Sequence, residues 1–337
     1  MTPSPAPSLA SLAMPVLDEA LEARLRARMT EVEALLEQEI QSEVPFITEA
    51  CRHLMHAGGK RIRPLLVLMA AEVADAEADG VLTAACVVEL THLASLYHDD
   101  VMDEAALRRG ADSANARWDN HVAILAGDWL FSKSSELTAQ LGPEAVRIQA
   151  ETFTRLVEGQ ILETLPPDPG GDRLRHYLRV VAGKTGSLIA TSARYGALFA
   201  GAPPEVVAGL MRYGERVGVA FQLSDDILDV GSDTAESGKT PGTDLREGVR
   251  TLPVLFALRS QDPADTRLLD LLDGPLEDDA RHAEALRLLR GHPAMDEARS
   301  YVLRLAGEAT EALDVVPSGP VKDALVAFAD LIATRTA

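Results

Sequence analysis

Two groups of aspartates contain the side chains of this chain that are best suited to chemistry. The first aspartate cluster is Asp99, Asp100 and Asp103, and the second is Asp225, Asp226 and Asp229. Carboxylates four residues apart on a helix lie on one face, about one turn from each other. A single acidic run is more often a solvated helix face. Both clusters lie in apolar sequence, however, where an unpaired carboxylate costs roughly several kcal/mol, so two of them predict bound cations.

The donor set and its surroundings indicate which cation and which substrate. Oxygen donors favour a hard ion such as Mg²⁺, which usually keeps several waters and bridges to substrate phosphates. Arg108 and Arg109 follow the first cluster and supply fixed positive charge that suits phosphate oxygens. Lys60 and Arg63 lie three residues apart at the predicted start of a helix marked by Pro64, where free backbone N–H groups favour an anion. The alternative for this last pair is two ordinary surface cations.

Composition limits the classes of function and the compartment. The 337 residues include 32 basic and 52 acidic side chains, a net charge of −20, which argues against binding to nucleic acid or to anionic membranes. Cys51 and Cys86 lie in apolar helical sequence and are predicted to be reduced thiols of a cytoplasmic protein. No apolar run approaches the about 18–20 residues of a membrane span, so no stable membrane insertion is expected. Met1–Pro15 is rich in Pro, Ser and Ala and is predicted to be a disordered tail.

The spacing of apolar residues predicts helices throughout the rest of the chain. The first aspartate cluster falls on a long predicted helix, Leu82–Ala106, and the second near the end of another, at about 204–230. Gly183 and Gly186 interrupt the predicted helix at 173–200, and the turn-rich stretch Ser232–Gly242 predicts a loop. No run of alternating residues predicts a strand. We therefore predict an all-α fold, with residues 16–337 forming one domain.

The motifs together resemble those of the trans-isoprenyl (polyprenyl) diphosphate synthase family. Besides both aspartate clusters, the chain has Gly-Gly-Lys-Arg-Ile-Arg-Pro at 58–64, Gly-Lys-Thr-Gly at 183–186, Phe-Gln at 221–222, and Gly238-Lys239 leading to Asp244-Leu245. The resemblance implies a helical bundle of the isoprenoid synthase type with a central active-site cavity. It also implies a homodimer that condenses isopentenyl diphosphate with an allylic diphosphate primer through a Mg²⁺-assisted carbocation.

The resemblance also implies roles for individual residues. The six aspartates, Asp99, Asp100, Asp103, Asp225, Asp226 and Asp229, would hold three Mg²⁺ ions per active site, for which Mn²⁺ substitutes. The allylic diphosphate would be held by Arg108, Lys184, Thr185, Gln222 and Lys239. The isopentenyl diphosphate would be held by Lys60, Arg63, His92 and Arg109. The groups implied to be catalytic are Asp99, Asp103, Asp225, Lys184 and Lys239.

Some details of the pattern stay open at this point. His92 on its own would more often be a core histidine. Val249 stands where many family members have a phosphate-binding lysine, and the neighbouring Arg250 is a possible substitute. Ala94, five residues before Asp99, is not the aromatic residue typical of members with short products, so the sequence favours a medium- to long-chain product. Trp129 or Phe131 could instead close the product cavity and give a C20 (geranylgeranyl) diphosphate.

Three other classes of protein share part of this pattern. A helical metal-dependent phosphohydrolase would use His98-Asp99 with His53 and His56, but it would not explain the second aspartate cluster. A terpene cyclase has no need of a site for isopentenyl diphosphate. A non-catalytic subunit of a two-component synthase usually lacks some of the aspartates, and this chain has all six.

Overall fold

The structure is a computed structural model that describes residues 18–231 and 241–335. The predicted tail Met1–Pro15 and most of the predicted loop Ser232–Gly242, including Lys239, lie outside the described residues.

Helices form most of the described structure and strands almost none of it, so the predicted all-α fold is confirmed. The first ten are α1 Glu19–Glu39, α2 Pro45–His56, α3 Ile62–Ala71, α4 Gly80–Met102, α5 Ala114–Arg117, α6 Asn120–Gln140, α7 Pro143–Thr164, α8 Arg173–Val181, α9 Ser187–Phe199 and α10 Pro204–Gly231. Further helices follow at Thr243–Glu247, Leu252–Ala257, Thr266–Leu271, Asp279–Arg290, Pro293–Ala312 and Pro320–Thr334.

The described residues group into two compact units. The first comprises residues 18–153, 188–214 and 313–327, and its core forms where α4 packs against α1, α3 and α6. The second comprises residues 154–187, 215–231, 241–312 and 328–335. In this second unit the short helix Leu252–Ala257, buried along its whole length, packs against Pro293–Ala312, Asp279–Arg290 and α8.

The helix α4 differs from its prediction at its end and in its length. It stops at Met102 rather than at Ala106, because Glu104 has a left-handed backbone with φ 49° that no α-helix can continue.

The 23 residues of α4 are apolar enough to cross a membrane by length and composition. The expectation that no apolar stretch reaches that length was therefore wrong. In its most apolar window 67% of the residues are buried inside the protein, as in a core helix.

A small β-hairpin follows the first aspartate cluster, although the sequence predicted no strand. Leu107–Arg108 pairs antiparallel with Ala111–Asp112. The two turn residues, Arg109 and Gly110, have φ values of 56° and 78°, as a tight two-residue hairpin turn requires. The hairpin is too short to show alternation, which is why periodicity missed it, and its turn places Arg109 near the end of α4.

The predicted interruption at Gly183 and Gly186 is a π-helical turn, Ala182–Gly186, between α8 and α9. Such turns insert one extra residue into a helix and are frequent at functional sites. Gly183 packs directly on Gly159 of α7, and a Cβ added at Gly183 would lie 2.8 Å from the carbonyl oxygen of Arg155. Helix α7 can approach the π turn so closely only because Gly159 and Gly183 have no side chain.

Candidate active site

The first aspartate cluster occupies the end of α4, with one buried and two more accessible carboxylates. Asp100 is fully buried, Asp99 is half-buried and Asp103 is exposed. Asp103 is the C-cap residue, and its N–H donates to the carbonyl of Asp99 at 2.8 Å. The last turn of α4 therefore holds the backbones of Asp99 and Asp103 one helical turn apart, as their spacing predicts.

Asp100 is fixed by Arg108 from the hairpin. One carboxylate oxygen, Oδ1, accepts from Nε of Arg108 at 2.6 Å and lies 2.5 Å from its Nη2. The other, Oδ2, is buried without a hydrogen-bond partner. Burial raises the pKa of Asp100, and Arg108 opposes that rise. A buried acceptor left without a donor is costly, so this oxygen fits a bound cation.

A cation cluster of Arg63 and Arg109, with His92 beside it, lies in the same unit as the first aspartate cluster. Burial lowers the pKa of Arg63 to about 10, although Glu89 opposes this, and Arg109 lowers it further. Burial also holds the pKa of His92 well below its usual range, with Arg63 and Arg109 acting in the same direction. His92 is therefore neutral near pH 7. Lys60 is exposed just before α3.

Arg109 is seated on the Gly58-Gly59 turn. Its Nη1 donates to the carbonyls of Leu54, at 3.1 Å, and of Gly58. A Cβ added at Gly59 would lie 2.6 Å from the guanidinium carbon of Arg109, and Gly59 has φ 135°. This close approach explains why the turn requires glycine. Burial lowers the pKa of Arg109, while Glu89 raises it.

Sequence reasoning missed the acids beneath the cation cluster. Arg61 is 6% exposed and pairs with Glu33 at 2.7 Å and with Glu89 at 3.3 Å. Its guanidinium also donates to the carbonyls of Met55 and Gly58, at 3.0 Å and 3.1 Å. The available signal was a lone acid, Glu89, in the apolar stretch of α4. This network ties the turn that carries Arg109 to the protein core.

Asp226 is the buried member of the second aspartate cluster, on α10. Oδ1 accepts from Nε2 of Gln222 at 2.9 Å, and Oδ2 accepts from the hydroxyl of Tyr177. The hydroxyl of Thr185 in turn donates to Oε1 of Gln222 at 3.0 Å. Burial raises the pKa of Asp226 to about 6, and the hydrogen bonds from Tyr177 and Gln222 oppose that rise.

The other two aspartates of the second cluster have defined neighbours. Asp225 pairs with Nη2 of Arg335 at 2.9 Å, and Arg335 lies over the ring of Phe221 at 4.5 Å. The carboxylate of Asp229 accepts the backbone N–H groups of Thr243 and Asp244, at 3.3 Å and 3.2 Å. Both carboxylates are therefore held in place by groups far along the chain.

Lys184 and Arg250 lie in the second unit. Lys184, in the π turn, pairs with Glu163 at 2.5 Å. Val249 is exposed, and the guanidinium of Arg250 donates to the carbonyl of Asp273 at 3.3 Å. Arg250 was suggested above as a substitute for the phosphate-binding lysine that is missing at Val249. In the structure its guanidinium already has a partner in the protein.

The carboxylates of the two aspartate clusters suit a metal ion that takes its other ligands from the substrate. Across residues 18–231 and 241–335, no three acidic, histidine or cysteine side chains are grouped so that they could hold a metal by themselves. Mg²⁺ is commonly bound by one or two carboxylates, and waters and substrate phosphates complete its octahedron. Carboxylate pairs in each unit, with positive groups for phosphate nearby, suit this way of binding.

Comparisons with known proteins agree with this arrangement. The polyprenyl synthetase family model matches residues 44–289. The chain is 48% identical to the nonaprenyl diphosphate synthase of Mycobacterium tuberculosis, over 94% of this chain and 95% of that protein. It also resembles the crystal structure of geranylgeranyl pyrophosphate synthase from Corynebacterium glutamicum complexed with calcium and isoprenyl diphosphate, with a TM-score of 0.86, 47% identity, and coverage of 95% and 98% of the two chains. For a decaprenyl diphosphate synthase from Rhodobacter capsulatus the TM-score is 0.85 at 34% identity, with 95% and 99% covered. The chain belongs to the polyprenyl synthetase family, the trans-isoprenyl diphosphate synthases.

Proposed function

We propose that this protein is a chain-elongating prenyltransferase that condenses isopentenyl diphosphate with an allylic diphosphate to give a long-chain all-trans polyprenyl diphosphate. One observation in the first unit supports this most directly. His92, beside the desolvated cation cluster, precedes Asp99 by seven residues on α4, a rise of about 10 Å. The proposed site for a diphosphate bound without metal would thus lie along the same helix as the proposed site for a diphosphate bound through metal. A two-diphosphate reaction needs both.

The proposed reaction breaks the C1–O bond of the allylic diphosphate and joins C1 to the alkene of isopentenyl diphosphate. Loss of a proton to the released diphosphate completes the condensation. Lys60, Arg63 and Arg109 would bind the isopentenyl diphosphate, and neutral His92 would orient it through a hydrogen bond. Lys184 and Arg108 would bind the allylic diphosphate. Fixed cations of this kind stabilise the charge that develops on a leaving group.

We propose Mg²⁺ as the metal of both aspartate clusters. Asp99, Asp103 and Asp225 are the proposed direct ligands, and Asp100, Asp226 and Asp229 support them directly or through water. When bound, Mg²⁺ supplies neutralisation of the diphosphate charge, which makes diphosphate a feasible leaving group. A metal with higher affinity for nitrogen or sulfur ligands has no advantage here, since the donors are all carboxylate oxygens.

We further propose a product longer than C20. The names of the relatives do not decide this, since proteins of similar identity are a nonaprenyl and a geranylgeranyl diphosphate synthase. The proposal depends on Ala94, which lies fully buried on α4 between the cation cluster and the first aspartate cluster. A methyl group takes far less room than the ring found there in members that make short products.

One assay tests the proposed function. The purified protein would be incubated with Mg²⁺, farnesyl diphosphate and radiolabelled isopentenyl diphosphate, and the products separated by chromatography. We expect polyprenyl diphosphates longer than C20, and no product in the presence of EDTA. Incorporation that persists undiminished in EDTA would contradict the metal-dependent mechanism, and a cyclised hydrocarbon product would show a different enzyme.

Substitutions of two lysines are expected to separate the two diphosphate sites. Lys60→Ala should mainly raise the KM for isopentenyl diphosphate, roughly tenfold, because that site binds a ground-state anion. Lys184→Ala should act mainly on the allylic substrate. Steady-state kinetics with each substrate varied in turn would measure this, with Lys322→Ala as a control, since Lys322 lies near an exposed Asp314 at 3.8 Å. If Lys60→Ala instead weakens only the binding of the allylic substrate, the assignment of the two sites is reversed.

A homodimer is also proposed, on the strength of exposed apolar side chains in the first unit. Ile124 and Leu125 on α6 are 42% and 65% exposed, and Val146 and Phe153 on α7 are 46% and 37% exposed. Large apolar patches on a surface commonly mark an interface. Sedimentation velocity at micromolar concentration should show a species of twice the chain mass. A monomer there would refute the proposal, and Leu125→Glu should weaken the dimer if α6 is part of the interface.

A further inference from the structure

Tyr177 contacts the second aspartate cluster, although no motif of the sequence pointed to it. It lies on α8, seven residues before Lys184, and its hydroxyl donates to Oδ2 of Asp226. Burial and the neighbouring Asp226 hold the pKa of Tyr177 well above its usual range. The phenol therefore stays protonated near neutral pH and remains a hydrogen-bond donor.

Asp226 is consequently held at both of its oxygens. Gln222, one turn earlier on α10, donates to Oδ1 at 2.9 Å, and the hydroxyl of Thr185 fixes the amide of Gln222 at 3.0 Å. Tyr177, Asp226, Gln222 and Thr185 thus form one chain of hydrogen bonds. Each carboxylate oxygen has two lone pairs, so one on each oxygen is still available for a metal or a metal-bound water. The carboxylate cannot rotate without breaking a hydrogen bond.

The π turn makes this chain of hydrogen bonds possible. In a regular helix two residues eight positions apart point about 80° away from each other, whereas one extra residue between them reduces the difference to about 20°. Tyr177 and Thr185 are eight positions apart, and Thr185 lies within the π turn Ala182–Gly186. Both side chains can therefore reach the pair of Gln222 and Asp226, which are four apart on α10.

We propose that Tyr177 is a positioning residue of the prenyltransferase reaction, which acts by fixing the carboxylate of Asp226 in the second aspartate cluster. This inference depends on the function proposed above. Loss of the hydroxyl leaves Oδ2 of Asp226 buried without its donor, so that the carboxylate can turn away from its position in the second aspartate cluster. Partners that orient metal-binding carboxylates typically contribute about 10- to 100-fold to metal affinity or activity.

The test compares Tyr177→Phe with a matched control, Tyr195→Phe. Tyr195 is fully buried and its hydroxyl donates to the carbonyl of Ala145 at 2.8 Å, so that each variant loses one hydroxyl and keeps its ring. Binding of Mn²⁺ in the presence of inorganic diphosphate would be measured by electron paramagnetic resonance, together with kcat and the KM of each substrate. We expect Tyr177→Phe to weaken Mn²⁺ binding and to lower kcat, each about tenfold or more, with the KM for isopentenyl diphosphate unchanged. Tyr195→Phe should change these values less than twofold.

A second variant separates positioning from a loss of folding. If Tyr177 acts through Asp226, Tyr177→Phe should have little further effect on Mn²⁺ binding in an Asp226→Asn background. Equal effects of Tyr177→Phe and Tyr195→Phe, or a full effect in that background, would overturn the assignment. Melting temperatures would show whether either variant is unfolded. A wild-type protein that forms no product and binds no Mn²⁺ would overturn the proposed function itself, and this inference with it.

Discussion

Asp99→Ala and Asp225→Ala are each expected to slow product formation roughly 10²- to 10⁴-fold, equivalent to about 3–5 kcal/mol of transition-state stabilisation. Each substitution removes a proposed direct ligand of Mg²⁺, and the charge on the leaving diphosphate is then less well neutralised. Initial rates of isopentenyl diphosphate incorporation at saturating substrate would measure the effect. Raising the Mg²⁺ concentration should restore part of the rate.

Two control variants make this result specific. Asp225 is paired with Arg335 at 2.9 Å, so Arg335→Gln breaks the same ion pair while keeping the carboxylate, and its effect should be much smaller. Asp296→Ala removes an exposed acid that pairs with Arg299 at 2.9 Å and should leave the rate unchanged. Wild-type rates in either Asp99→Ala or Asp225→Ala would defeat the assignment of the ligands.

Ala94→Phe is expected to shorten the product to C15 or C20 while the first condensation stays nearly intact. The growing tail would extend from the first aspartate cluster along α4, past Ala94. A ring there cannot be compressed, since overpacking a dense interior costs about 1–3 kcal/mol. Chromatography of the products from farnesyl and geranyl diphosphate primers would give the chain length of each variant.

The surroundings of Ala94 define the alternative outcome. Ala94 is fully buried, and a Cβ added at Gly127 of α6 would lie 3.2 Å from its carbonyl oxygen. If the side chain at position 94 packs into the core, Ala94→Phe will lower the melting temperature without changing the product. Ala298→Phe, at another fully buried alanine, serves as the control for overpacking alone.

A wild-type product of C20 would place the end of the product cavity nearer to the first aspartate cluster. Phe131 is the best candidate for that end, because its ring lies 4.5 Å from that of Phe153 and 5.6 Å from that of His98. These centroid distances describe a group of aromatic rings on α4, α6 and α7. A cleft of about 190 Å³ lies beside Phe131 and Phe153.

The sequence predicted the features that depend on neighbours along the chain. The helix that carries Asp99 and the break at Gly183 and Gly186 follow from local spacing and backbone preference, and the family assignment followed from motifs in a fixed order. The contacts of Asp226 could not be predicted in this way, because Tyr177 lies 49 residues away along the chain. Likewise, Arg335 reaches Phe221 across 114 residues. Such contacts arise only when helices pack.

The same limit applies to the charges around the first aspartate cluster. Arg108 was assigned to a substrate phosphate, and in the structure it is paired with Asp100. Glu89 was given no role, yet it is the buried partner of Arg61. Sequence shows which charges are present. It does not show which of them neutralise one another inside the protein, since that depends on burial and orientation.

The π turn Ala182–Gly186 has a consequence for how this chain can vary. Conversion of this turn to a regular α-helix, which is the better hydrogen-bonded form, would rotate Thr185 about 100° relative to Tyr177 if the number of residues stayed the same. If one residue were removed at the same time, the two side chains would keep their relative direction. Length changes in the surface connections between helices cause no such rotation. A protein built in this way tolerates insertions and deletions in its loops. Between Tyr177 and Thr185, a change of length turns one of the two away from its partner on α10 unless the π turn is gained or lost with the residue.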